Sequence, residues 1–162
     1  MKNKFLILLL CSCLSYSQNL SFEEFLSLKN KNAVEANFFL NGKGWHLFSE
    51  LEPELDKQGI VVFKMQEEKS NRDFWHGETL MECRSYKNAN VSELKFITAS
   101  EEIFRLYVNH IKRSNYKVVS SSSNNKVKSY TYQNDKLTIQ TNVGSFLKKI
   151  YYEITIIDRI NI

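Results

Sequence analysis

Hydrophobic positions at helical spacing mark the first part of the chain. Ser21 followed by Glu24 is a capping-box pattern, in which each side chain satisfies a free amide at a helix start, so it predicts a short helix over 22–28. Apolar residues over 33–40 recur at three- and four-residue intervals and predict a second helix. The sequence Asn-Gly-Lys-Gly at 41–44 then supplies the glycines that end it.

A third helix is predicted after residue 98. Thr98 and Glu101 repeat the capping-box pattern, and basic residues at 112–113 suit the negative end of the helix dipole. The predicted buried face consists of Phe104, Tyr107, Val108 and Ile111.

The remaining segments show the patterns of strands. Apolar runs and alternating runs rich in β-branched and aromatic residues are typical of strands. The serine- and asparagine-rich stretch 120–125 is predicted to be a loop, and it does not mark a domain boundary. The predicted strands are 60–65, 79–86, 94–98, 118–119, 127–133, 136–141 and 149–158.

The segment 127–141 predicts a β-hairpin with a defined register. Asn134 and Asp135 separate two alternating runs and favour the positive φ angles of a two-residue turn. One face of the hairpin is then apolar and packs against the third helix, and the other carries only hydroxyl and amide groups. The apolar face pairs Tyr132 with Leu137 and Tyr130 with Ile139, and the polar face pairs Thr131 with Thr138 and Ser129 with Gln140.

Segments 34–48 and 105–119 align at a displacement of 71 residues. Leu40 matches Ile111, and both segments continue from a helix through a tight exit and an aromatic residue into strands. We therefore predict an α+β fold, with helices packed on antiparallel sheet and two α-β-β-β units in tandem. The half-repeats would be 18–97 and 98–162 of a single domain.

This element order, with the turn "LNGKGW" and the paired aromatic residue, resembles the tandem units of β-lactamase-inhibitor-like exported proteins. The resemblance covers most of the chain after the N-terminal segment, and it implies a bias towards protein binding. Those inhibitors carry disulfides, whereas Cys83 has no partner here if the two N-terminal cysteines are removed.

The N-terminus has the three zones of a secretory signal peptide. Lys2 and Lys4 precede a short apolar run, which Ser15 and Ser17 follow as small residues. The run is shorter than the roughly 20 apolar residues that a spanning helix needs, so no transmembrane segment is predicted.

Two forms of the mature N-terminus are predicted as alternatives. Cleavage after Ser17 makes 1–17 the signal peptide and Gln18 the first residue of an exported, periplasmic or secreted protein. The alternative is a lipoprotein of the envelope, anchored through a lipid on Cys13.

Net charge and cysteine content limit the kinds of partner that the protein is expected to bind. Cleavage after Ser17 leaves 145 of 162 residues and removes two of 22 basic residues against 18 acidic ones, so the net charge falls from +4 to +2. The basic residues form short separate groups, unlike the stripe that backbone-phosphate binding requires, so no nucleic-acid partner is predicted. Cys83, unpaired in an oxidising compartment, is predicted to be buried.

Candidate chemistry in the chain is sparse. His46, His76 and His110 follow no catalytic spacing, and His76 with Glu78 and Cys83 matches no standard zinc motif. The sequence has no glycine-rich phosphate loop and no nucleophile elbow, so no catalytic residue, metal or cofactor is predicted.

The polar stretch 69–79 holds the candidate binding residues Phe74, Trp75 and His76, because an aromatic pair on a loop suits recognition. The function expected is a non-enzymatic protein-binding module, an inhibitor or the immunity partner of a toxin. The alternative is a carrier of small molecules or lipids, and an enzyme of unrecognised type ranks third.

Overall fold

A computed structural model describes residues 20–54, 56–65, 79–124, 127–146 and 149–159. Within these ranges the fold is α+β, with three α-helices, one 3-10 turn and a single eight-stranded antiparallel sheet in the order β1-β2-β3-β4-β8-β7-β6-β5. The helical elements are α1 (Phe22–Ser27), the 3-10 turn (Leu28–Asn30), α2 (Ala33–Asn41) and α3 (Glu101–Arg113). The strands are β1 (Trp45–Leu51), β2 (Gly59–Met65), β3 (Leu80–Ser85), β4 (Val91–Thr98), β5 (Lys117–Ser123), β6 (Val127–Gln133), β7 (Leu137–Phe146) and β8 (Lys149–Asp158).

The capping box predicted for α1 is confirmed. The Ser21 hydroxyl accepts a hydrogen bond from the Glu24 amide at 3.1 Å, and the Glu24 carboxylate accepts one from the Ser21 amide at 2.9 Å. A second capping box, which was not predicted, joins Asn32 and Glu35 at the start of α2. After α2, Gly44 takes φ +81°, a conformation that glycine adopts without steric cost.

The N-cap of the third helix lies two residues after Thr98, the predicted N-cap. Ser100 is the N-cap, and its hydroxyl accepts a hydrogen bond from the Ile103 amide at 3.3 Å. Thr98 instead ends β4, where its hydroxyl lies 3.0 Å from that of Thr79. The predicted buried face is otherwise confirmed, with Phe104, Tyr107 and Ile111 buried and Val108 packed against the core.

The predicted strands are all observed, but β4 begins earlier, at Val91, β7 continues to Phe146, and β1 was not among the predicted strands. The serine-rich segment also differs. Ser120–Ser123 belong to β5, and the prediction of a loop there was wrong. Serine is compatible with an exposed strand, and pairing with β6 satisfies one edge of the segment, with Ser121 opposite Tyr130 and Ser123 opposite Lys128.

The β6–β7 hairpin has a register two residues away from the predicted one. The Asn134 side chain accepts hydrogen bonds from the amides of Lys136 and Leu137 at 2.9 and 2.8 Å, so Asn134 precedes the turn instead of occupying its centre. A shift of two residues leaves every side chain on its predicted face. The observed pairs are Gln133 with Thr138, Tyr132 with Ile139, Thr131 with Gln140, Tyr130 with Thr141 and Ser129 with Asn142.

The core lies between the helices and one face of the sheet. Phe96 of β4 is central, because its ring lies 5.9 Å from that of Phe25 in α1 and 5.1 Å from that of Tyr107 in α3. Trp45 is fully buried in this core. Tyr132 is also buried, but Tyr130 is 46% exposed, so only one of the two tyrosines predicted to pack inwards does so.

Four strands follow each helical part of the chain, one more than the predicted α-β-β-β unit contains. The two sets join at the centre of the sheet, where β4 pairs with β8. The outermost strands each have an irregular register, between Leu47 and Ser49 in β1 and between Val118 and Ser120 in β5.

A buried lysine connects the helical layer to the centre of the sheet. The Lys29 side chain is 5% exposed, and its ammonium group donates to the Asp158 carboxylate at 2.9 Å and to the carbonyl oxygen of Ser92. Asp158 ends β8 and Ser92 lies in β4, so this contact holds the 3-10 turn against both central strands.

Candidate binding surface

The predicted binding residues Phe74, Trp75 and His76 lie outside the described residues, as do Cys13, Ser17 and Gln18. The structure therefore places neither the aromatic loop nor the signal cleavage site. What it does describe is a second candidate surface, the polar face of the sheet.

Alternation along the strands defines an open face, opposite the helices. Side chains that follow Phe63, Met81, Phe96 or Ile139 by one position point away from the core. Among the described residues, no helix packs on this face. In register across the sheet from β5 to β1, its central row contains Ser120, Thr131, Gln140, Thr155, Lys95, Glu82, Val62 and Ser49.

The half of the open face on β2, β3 and β4 is charged. The Arg84 guanidinium donates to the Glu82 carboxylate at 2.6 Å and lies 3.7 Å from that of Glu93 across the strand pair. The hydrogen bond to Glu82 raises the pKa of Arg84 above its ordinary value, so the guanidinium stays charged under all ordinary conditions. The charges in this half are thus largely paired with one another.

The half on β5, β6 and β7 carries hydroxyl and amide groups instead, as predicted for the hairpin. Gln133 donates to the Thr138 hydroxyl at 3.1 Å, and Asn142 donates to the Glu153 carboxylate of β8 at 2.8 Å. Gln140, between them on β7, is exposed. These cross-strand hydrogen bonds orient the polar groups and leave others available to a partner.

The structure places Cys83 and His46 on opposite faces of the sheet. Cys83 is 2% exposed on the helix-facing side, and burial raises the pKa of its thiol to about 12. His46 pairs with Lys64 and belongs to the open face, so the two residues lie on opposite sides of the sheet. The His46 imidazole therefore cannot act as a base on the Cys83 thiol.

Of the other residues considered for chemistry, His110 contacts neighbouring helical residues, and His76 and Glu78 are not described by the structure. His110 lies 3.1 Å from the Glu23 carboxylate and 4.8 Å from the Phe22 ring, between α3 and α1. Of the zinc-like set, His76 and Glu78 lie outside the described residues. Elsewhere in the described ranges, no three His, Cys, Asp or Glu side chains come together in a way that would hold a metal ion.

The membrane prediction was tested on the same residues. None of the helices described has the length and apolar character needed to cross a bilayer.

Comparison of the chain with protein-family models, with curated proteins and with solved structures found no match.

Proposed function

We propose that the protein is a non-enzymatic, exported protein-binding module whose principal binding surface is the open face of the sheet. The single observation that supports this most strongly is a continuous eight-stranded face with no described helix upon it. The role of an inhibitor or immunity-type partner comes from the resemblance to β-lactamase-inhibitor-like proteins.

The size of the open face suits a specific protein interface. Eight strands about 4.8 Å apart span about 35 Å, and three side-chain rows about 6.8 Å apart extend the face to about 20 Å. The product, roughly 700 Å², approaches the roughly 800 Å² that each partner buries in a standard interface. The backbone hydrogen bonds of the sheet hold this surface rigid, which lowers the entropic cost of binding.

A duplicated unit within this module, of four strands instead of three, is supported by the register of the sheet. The displaced positions of β1 and β5 are Phe48 and Val119, and they are 71 residues apart, which is the displacement of the sequence repeat. Equivalent buried residues follow across each half, namely Phe63, Met81 and Phe96 in the first and Tyr132, Ile139 and Ile156 in the second.

The central strand pair fits an approximate two-fold axis between the proposed units. Leu94 pairs with Ile156, and Phe96 pairs with Ile154. If Leu94 corresponds to Ile154 and Phe96 to Ile156, these two pairs are reciprocal, as in an isologous contact. The duplicated units would then have diverged on the open face, one into paired charges and the other into hydroxyl and amide groups.

The proposal is tested by capture from the exported fraction with matched variants as bait. Gln140→Arg places a long charged side chain in the open face, whereas Asn109→Arg introduces the same side chain on the exposed side of α3. We expect wild type and Asn109→Arg to capture the same protein and Gln140→Arg to lose it. Capture that is equal for all three baits would refute the open face as the binding surface.

The export part of the proposal is checked separately. Intact-mass analysis of the mature protein is expected to show Gln18 as the first residue, and a diacylglyceryl group on Cys13 would favour the envelope-anchored alternative. The carrier alternative predicts bound lipid in a native mass spectrum. It is the less favoured function because aromatic rings from both layers fill the described helix–sheet interface.

A further inference from the structure

The edge strand β5, at the opposite end of the sheet from β1, is exposed over its whole length. All seven residues of β5 are exposed, and among the described residues no strand pairs with its outer side. In an antiparallel pair, alternate residues direct both the N–H and the C=O away from the neighbouring strand. Two of the four serines in Ser120–Ser123 therefore present unpaired backbone groups beyond the edge of the sheet.

Apolar side chains accompany these backbone groups. Val118 and Val119 are 58% and 52% exposed, and Tyr130 of the adjacent strand is 46% exposed on the helix-facing side. Next to Tyr130 lies a depression of about 310 Å³, lined by Ser121, Ser122, Ser123, Lys128 and Tyr130. The edge thus combines a hydrogen-bonding backbone, an apolar strip and a hydroxyl-lined depression with one ammonium group.

The charge of this part of the chain has a single sign. Residues 112–133 contain five Lys or Arg and no Asp or Glu. Lys112, Arg113, Lys117 and Lys128 are all exposed. A ligand that carries carboxylates would meet favourable potential along the edge and no repelling carboxylate on β5 or β6.

We propose that β5 is a docking edge for an extended, acidic segment of another protein, which adds to the sheet as a ninth strand. The segment's backbone pairs with the outward N–H and C=O groups of the serines, since strand addition supplies both donors and acceptors in register. A carboxylate enters the depression beside Lys128, and an apolar side chain covers Val118 and Tyr130. This edge is distinct from the open face and can be tested independently of it.

The probe is a fluorescent eight-residue peptide, Glu-Thr-Val-Thr-Glu-Thr-Val-Thr, which presents Glu and Val on one face of a strand, as Lys128, Tyr130 and Val118 require. It is titrated with the full mature protein and followed by anisotropy. We expect saturable binding to the wild type. Replacing every Glu of the peptide by Lys, or methylating every backbone nitrogen, is expected to weaken binding at least tenfold. The first change tests the charge complementarity, and the second tests the backbone pairing.

Protein variants locate the site. Lys128→Glu is expected to weaken binding at least tenfold, while Lys87→Glu, an equal charge change at the exposed β3–β4 turn, stays within twofold of wild type. Both positions are exposed, so both variants should melt as the wild type does. Gln140→Arg should retain peptide binding, so failure of the open-face proposal leaves this test intact.

Four results of the binding tests would overturn the proposal, and a fifth comes from self-association. They are absence of saturable binding, equal binding of the methylated peptide, an unchanged affinity in Lys128→Glu, and equal competition by an acidic polysaccharide, which has no backbone to pair. Concentration-dependent self-association that Lys128→Glu abolishes would also overturn it, because a second copy, whose opposite edge carries the exposed Glu50, Glu52 and Glu54, would then cover β5.

Discussion

The Lys29–Asp158 contact predicts an unequal cost for removing its two partners. Lys29 is 5% exposed and Asp158 is 60% exposed, so the ammonium group alone has lost most of its water. Asp158→Asn leaves that ammonium buried without its counter-charge, with the Ser92 carbonyl and a neutral amide oxygen as the acceptors in this contact. Lys29→Met removes the buried charge, keeps most of the aliphatic stem, and leaves a carboxylate that water can reach.

The magnitudes follow from this difference in exposure. Removing one partner of a fully buried ion pair costs about 3–5 kcal/mol, whereas an exposed pair contributes less than about 1 kcal/mol. Because Asp158 is largely exposed, we place Asp158→Asn at about 2 kcal/mol, below the fully buried range. Lys29→Met should cost about 1 kcal/mol, mainly for the lost hydrogen bond to Ser92.

Urea denaturation at 25 °C, followed by circular dichroism, measures the loss in free energy of unfolding for each variant. Thermal denaturation measures the corresponding shift in Tm. For a domain of this size about 1 kcal/mol corresponds to about 4 °C in Tm, so Asp158→Asn should melt about 8 °C lower and Lys29→Met about 4 °C lower. Lys57→Met, which breaks the exposed pair with Glu54, is the control and should change stability by less than about 0.5 kcal/mol. Equal losses for Lys29→Met and Asp158→Asn would refute the reasoning that burial of the ammonium group sets the cost.

Three further changes test the fold. Ser21→Ala removes the α1 cap and should lower the free energy of unfolding by about 1 kcal/mol in urea; no measurable change would contradict a stabilising role for the capping box. Gly59→Ala would bring a Cβ within 2.8 Å of the Leu51 carbonyl oxygen and should cost about 2 kcal/mol, while Gly42→Ala, whose nearest contact is 3.5 Å, should change stability by less than about 0.5 kcal/mol. The raised pKa of Cys83, about 12 when folded against 9.0 as its ordinary value, gives stability that is fully present below pH 9 and lost as the pH rises towards 12. As the pH rises from 9 to 12, the free energy of unfolding should therefore fall more steeply for the wild type than for Cys83→Ala. Parallel curves for the two proteins would count against burial of the thiol.

Local patterns in the sequence predicted most of the secondary structure. The Ser21 box, the apolar face of α3 and the bounds of β6 and β8 all depend on neighbours in the chain, and all are observed. Two of the errors are also local, because a second side chain competed for the role. Ser100 displaced Thr98 as the cap, and the Asn134 side chain shifted the register of the hairpin by two residues.

The tertiary structure alone decided which strands meet and which polar groups become buried. The pairing of β4 with β8, 60 residues apart along the chain at Lys95 and Thr155, joins all eight strands into one sheet, and no local pattern specifies it. Lys29 has the sequence character of a surface residue, yet Ser92 and Asp158 enclose it, because partners 63 and 129 residues away converge only on folding. Sequence by itself determined most of the elements and the two faces of the hairpin, since these depend on backbone geometry and periodicity. The open face, the exposed β5 edge and the buried lysine required the long-range packing that arranges those elements.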